Sequence, residues 1–169
     1  MKKNSLFILM AAFCLISISS LGQELKYEKI MELDITLDPP IMAGPKVIYN
    51  IQGGTVSGSI TGKLLALGGD FGTIVNPTTF KLDVRIAIQT TDSATVYITY
   101  SGYLYADEAT FGQILSGKGP ELNPSQYYFR TNPLFETTAA KYDWLNHTVA
   151  VGTGTLTKTG VNYKVYAIK

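Results

Sequence analysis

Apolar and polar residues alternate with a period of two along most of the chain, which is the mark of strands buried on one face. In LDVRIAIQ, residues 82–89, Leu82, Val84, Ile86 and Ile88 share one face and Asp83, Arg85, Ala87 and Gln89 the other. TVYITYSGY, residues 95–103, sets Val96, Ile98 and Tyr100 against Tyr97, Thr99 and Ser101. The intervening TTDSA carries hairpin turn chemistry, so the two strands are expected to be antiparallel neighbours. Similar stretches run over 26–37, up to Pro39-Pro40, and over 46–52, up to Gly53-Gly54. Others span 55–67, ending at Gly68-Gly69-Asp70, then 71–76, and finally 147–158 and 161–169 around Thr159-Gly160. Two stretches read as helix. Residues 106–117 place Asp107-Glu108 in a first turn, Phe111, Ile114 and Leu115 at helical spacing and Gly117 as a stop; 139–146 suffices for one or two turns. The pattern predicts an all-β fold, a single closed antiparallel β-barrel of about 8–10 strands with one or two short helices. The 16 glycines favour the barrel, because closing a sheet requires strong coiling.

Not all 169 residues belong to that domain. Lys2 and Lys3 precede an apolar run from Leu6 to Leu21, and Ser20 and Gly22 are small residues ahead of a cut before Gln23, the pattern of a secretory signal peptide. Residues 1–22 are therefore read as a leader and 23–169 as one barrel domain, periplasmic or secreted. Cys14 lies inside the apolar run behind Phe13, which does not suit lipidation, and the mature chain then has no thiol. Loss of the two lysines takes 14 basic residues to 12 against 13 acidic ones. A near-neutral chain without a basic cluster is not expected to bind nucleic acid. Charges interrupt several strands, which argues against a membrane-embedded barrel.

Several motifs fail. Gly112 to Lys118 imitates a phosphate loop, but Gly119 stands where a magnesium-holding hydroxyl is needed. One histidine and no mature cysteine leave no ordinary zinc or iron site, and no metal or cofactor is expected. A nucleophilic triad would have to use His147, and no G-x-S-x-G elbow is present. The remaining candidates are charges and aromatics set in strands, concentrated in YYFRTNPLFETTAAKYDWLNHT, residues 127–148. There Tyr128, Arg130 and Asn132 share one face. An arginine buried in such a wall needs a carboxylate, so Glu136 is the expected partner of Arg130, and Asp83 that of Arg85. Tyr97, Trp144 and Asn146 complete the candidate ligand-binding set of Asp83, Arg85, Tyr97, Tyr128, Arg130, Glu136, Trp144 and Asn146.

At these residues the chain resembles uncharacterised protein family 0311, also called domain of unknown function 3237. The resemblance rests on GGTVSGSITGKLLALGGDF (53–71), LDVRIAIQTTDSATVYITYSGY (82–103) and YYFRTNPLFETTAAKYDWLNHTVAVGTG (127–154), and covers nearly all of the mature chain. It implies a closed antiparallel β-barrel and no assigned activity. The family's motif positions fall here on Asp83, Arg85, Tyr128, Phe129, Arg130, Glu136, Trp144 and Asn146.

Three functions fit these residues. The favoured one is a barrel that binds a small organic molecule bearing a carboxylate, carbonyl or phenol in an Arg/Glu/aromatic pocket. The alternative is a cofactor-free lyase, isomerase or cyclase, with Arg130 stabilising negative charge and Glu136 moving a proton. A structural envelope protein is the third, and a homo-oligomer is compatible with each.

Overall fold

The computed structural model describes residues 24–169, so the leader expected at 1–22 lies outside the described residues. Ten strands form one antiparallel sheet: β1 (Tyr27–Leu37), β2 (Ile41–Ala43), β3 (Lys46–Gly58), β4 (Gly62–Leu64), β5 (Gly69–Asn76), β6 (Thr79–Thr90), β7 (Thr95–Tyr105), β8 (Tyr128–Glu136), β9 (Ala150–Thr157) and β10 (Gly160–Ile168). The order runs β1-β10-β9-β8-β7-β6, then β4 and β5 sharing one place between β6 and β3, and β1 pairs with β3 to close the ring. The result is the expected barrel, with eight wall positions and two extra strands.

The β6–β7 hairpin forms as its pattern predicts, from Thr79↔Tyr105 to Gln89↔Thr95. Its inward residues Leu82, Val84, Ile86, Ile88, Val96 and Ile98 are all at most 2 % exposed. Strand β3 differs from expectation. Gly53-Gly54 does not end a strand; the chain runs through it, and the pairing with β1 slips between Thr36↔Gly53 and Leu37↔Ile51. This one-residue bulge switches the inward set from Val47, Tyr49 and Ile51 to Gly54 and Val56. Only glycine suits it, since Gly53 and Gly54 take φ of 141° and 148°. The predicted strand over 55–67 is accordingly split between the end of β3 and the short β4.

The two ends of the lumen differ. One is solid: Met31, Ile60, Ile86, Ile88, Val96 and Ile98 fill it, and a 3-10 segment, Ala140–His147, closes it with Tyr142 and Leu145. Asp92, in the β6–β7 turn, accepts from Tyr142 Oη at 2.9 Å and pairs with Lys141, tying that cap to the wall. A helical segment covers the other end. Helix α1 (Glu108–Gln113) is capped by Asp107, whose carboxylate accepts from Thr110 N at 2.9 Å. The path continues through Ile114–Lys118, reverses at Gly117 (φ 83°) and finishes in a 3-10 turn, Gly119–Glu121. Phe111 points down from this cover and is 1 % exposed. The seam between β8 and β9 is short, with Arg130↔Thr153 and Thr131↔Gly152 its paired residues, and Leu156 N donates to Tyr127 Oη at 3.1 Å beside it.

Outward positions on the walls carry Lys81, Asp83, Arg85, Arg130 and Glu136. That is not the apolar band of a lipid-facing barrel. Among the described residues no helix is long and apolar enough to cross a membrane.

Candidate functional site

Between the solid core and the helical cover lies a cavity of about 430 Å³, within the usual range of ligand pockets. Ile35, Val47, Leu82, Leu104, Phe111 and Phe129 supply much of its apolar wall. Its mouth lies among the Asp38-Pro39-Pro40 turn, the Lys158–Gly160 hairpin and the helix residues Ile114 and Leu115.

Asp70, Tyr49, Tyr100 and Tyr163 are polar side chains that line this space. Strand register aligns the first three. Tyr49 on β3 faces Asp70 on β5, Asp70 faces Val84 on β6, and Val84 faces Tyr100 on β7. Directly opposed residues point to one side of a sheet, so these four form a row along the lumen wall. Tyr163 comes from β10, and its ring meets those of Tyr100 and Phe129 edge to face at 5.5 and 5.3 Å.

Asp70 is 8 % exposed. The β5–β6 ladder is unpaired between Asp70↔Val84 and Thr73↔Lys81, and there Asp70 Oδ1 accepts the Asp83 backbone N–H at 3.1 Å. Lys46 Nζ donates to the neighbouring Phe71 carbonyl at 3.3 Å. Among the described residues nothing is bonded to the second oxygen, Oδ2. Burial pushes the carboxyl up to about 7, opposed by the Asp83 N–H, reinforced by the Asp83 charge and opposed again by Lys46. Burial first and the Asp70 charge second raise the phenol of Tyr100. Burial also raises Tyr163, followed by neighbouring Tyr100 and then Asp70. Both phenols therefore stay neutral donors at physiological pH. Thr157, another lining residue, has a buried hydroxyl without a partner among the described residues.

The residues singled out from sequence lie elsewhere. Arg85 and Asp83 form the expected ion pair at 2.9 Å, but each is half exposed on the outer face of β6. Arg130 and Glu136 do not meet. They are six residues apart on one outward face of β8, roughly 20 Å at strand rise. Arg130 instead donates to the Phe129 carbonyl at 2.9 Å and lies 5.1 Å from the Tyr128 ring centre, also outside. Tyr97 is Glu136's outward neighbour on β7. Trp144 packs at the solid end, where Asn146 bridges Thr137 N at 2.8 Å and Thr137 O at 2.9 Å. None of these eight side chains lines the cavity. Asp70, read from sequence as a turn residue, is the buried acid that does, and Asp38 lies at the mouth. Its signal was an acid at the head of an otherwise apolar strand, followed two residues later by a glycine that leaves room for the Phe80 ring.

Residues 25–168 match the family described as "Protein of unknown function (DUF3237)". A UPF0311 protein of Clostridium acetobutylicum is 34% identical over 154 residues, which cover 86% of this chain and 96% of that one. The crystal structure of a conserved protein of unknown function from Rhodopseudomonas palustris superposes with a TM-score of 0.82 at 28% identity, covering 88% of this chain and 100% of that one. An enzyme from Penicillium herquei shares the fold at greater distance, with a TM-score of 0.65 at 21% identity over 90% of this chain and 100% of its own.

Proposed function

Because the chain belongs to the DUF3237 family and shares its barrel, we propose that it binds a small neutral organic molecule in the covered end of the lumen. The observation that carries this reading is Asp70, with Oδ2 unbonded among the described residues, lining an apolar cavity together with Tyr49, Tyr100 and Tyr163. A carboxylate oxygen that lines the cavity and has no hydrogen bond among the described residues is available to accept from a ligand donor. The lining favours a carbonyl or phenol over the carboxylate also expected from sequence. It contains a buried acid, and its lysine, Lys158, is exposed at the rim. A plain structural role gives no reason for a hollow lined with neutral phenols, and the Arg130–Glu136 pair loses support as a catalytic centre because its members are far apart.

A thermal-shift screen of neutral phenols and ketones against matched carboxylates tests the reading. Neutral compounds should stabilise the protein and carboxylates should not. Ile114→Trp, placed at the mouth on the cover, should weaken binding at least about tenfold by filling the space. Arg130→Ala should leave it unchanged. Tighter binding of the carboxylates, or indifference to Ile114→Trp, would remove the cavity from the function.

Export is proposed on the leader alone. Expressed with residues 1–22 in a host with a Sec pathway, the protein should be recovered outside the cytoplasm with Gln23 as its first residue by intact mass. Retention of Met1 in a cytoplasmic product would overturn it.

A further inference from the structure

The cavity holds a carboxylate and a pair of neutral phenols in an enclosure with apolar walls, and none of the ion pairs that brace the barrel uses them. Resting on the binding reading above, we propose that the barrel catalyses enolisation. Asp70 removes a proton from the carbon beside a ketone carbonyl, and the hydroxyls of Tyr100 and Tyr163 receive the charge that develops on the carbonyl oxygen.

The step balances without a co-reactant. The C–H bond breaks, its proton goes to Asp70 Oδ2, and its electron pair forms the carbon–carbon double bond as the carbonyl π pair moves to oxygen. The protonated carboxyl trades its proton with solvent and returns one to the same carbon, giving exchange, or passes the proton to a conjugated carbon further along, giving a shifted double bond. Either route restores Asp70.

Geometry supplies the roles. Asp83 N–H pins Oδ1, so the carboxylate is held in one orientation with Oδ2 free. Tyr100 stands in the same row two strands away, about 10 Å between backbones, and Val84 between them is the floor over which a carbonyl and its α-carbon would lie. The neutral phenols donate to an oxyanion in low dielectric, where such bonds are strongest and need no reorganisation. An ordinary aspartate is a weak base toward carbon. Burial brings this one near neutrality, where a general base combines strength with a useful ionised fraction. Asp83 on β6 and Lys46 on β3 bear on its titration; the other titratable groups that line the same cavity are Tyr49 on β3, Tyr100 on β7 and Tyr163 on β10, with Asp38 and Lys158 at the mouth.

The test uses 1-tetralone, a neutral bicyclic ketone, in deuterated buffer, with binding followed by thermal shift and deuterium at the α-carbon by proton NMR. The protein should bind it and speed α-exchange at least about 100-fold over buffer. The rate should rise with pH through about 7 and then level, following ionisation of Asp70. Asp70→Asn should exchange at the buffer rate even when saturated. Tyr100→Phe should be slower by about 100-fold, with the pH profile retained. Binding without accelerated exchange would overturn the proposal and leave the binding reading standing. Exchange that survives Asp70→Asn would overturn it as well. Failure of 1-tetralone and the neutral panel to bind would overturn both.

Discussion

Asp70→Asn should make the protein more stable at pH 8 while leaving its stability at pH 4 nearly unchanged. In the unfolded chain the carboxyl ionises near 3.8, whereas in the barrel it holds its proton to about 7. Below the lower value both states are protonated and the group costs nothing. Between the two values the folded protein binds more protons than the unfolded one, so stability falls steadily as pH rises. Above about 7 the folded carboxylate is charged in an apolar space and the full penalty stands, about 4 kcal/mol at most. Asparagine keeps the acceptor for Asp83 N–H and carries no charge. Carboxyls held below their usual range, such as Glu32 and Asp107, add stability that is lost only at lower pH, equally in both proteins. Urea unfolding of the pair from pH 4 to 8 checks this. Parallel stability curves would show that Asp70 does not titrate in the folded protein as its burial requires. A stability cost of this kind is what the proposed roles of Asp70 would require the fold to bear.

The second large effect is expected at Gly54, where β1, β3 and β4 meet. A side chain there has two obstacles. The backbone sits at φ 148°, and a Cβ would overlap the Asp34 carbonyl oxygen across the seam that closes the barrel. Gly54→Val should cost about 3 kcal/mol or more, from strain and from prising β1 off β3. In a barrel of ordinary stability this leaves little soluble protein. Gly112→Ala is the matched comparison, because a Cβ there meets nothing within 4 Å. It should gain up to about 1 kcal/mol through helix propensity. Midpoints of denaturant unfolding for the two variants decide the matter, and equal midpoints would remove the bulge from the closure argument.

These two positions also show what the sequence reveals and what it conceals. The β6–β7 hairpin and the helix around Phe111 were legible because each has one plainly apolar face and clear end signals, whereas the cap over 140–147, a 3-10 segment opening after Ala139 without a side-chain cap, was legible only as one or two turns. Closure was legible only in kind. Gly53-Gly54 reads equally as a strand end and as a bulge, and only pairing with β1 distinguishes them. The cavity's acid was concealed by a similar ambiguity. In GDFGTIVN the face with Phe71, Thr73 and Val75 looks the more apolar, yet the face with Asp70, Gly72 and Ile74 turns inward. Phe80 supplies the missing bulk over Gly72, a contact no local pattern encodes. On β8 both faces carry aromatics. The charged one drew the functional reading, although a closed wall sends it to solvent and buries Phe129, Thr131 and Phe135 instead.

The division of the lumen into a filled end and a hollow end separates two kinds of evolutionary freedom. Aliphatic residues of the filled end hold the walls together, and most changes there are paid in stability. The hollow end already lacks that packing, so substitutions around its mouth reshape what can enter while removing few contacts that hold the barrel closed. On the binding proposed above, the ligand can change many times while the fold stays the same.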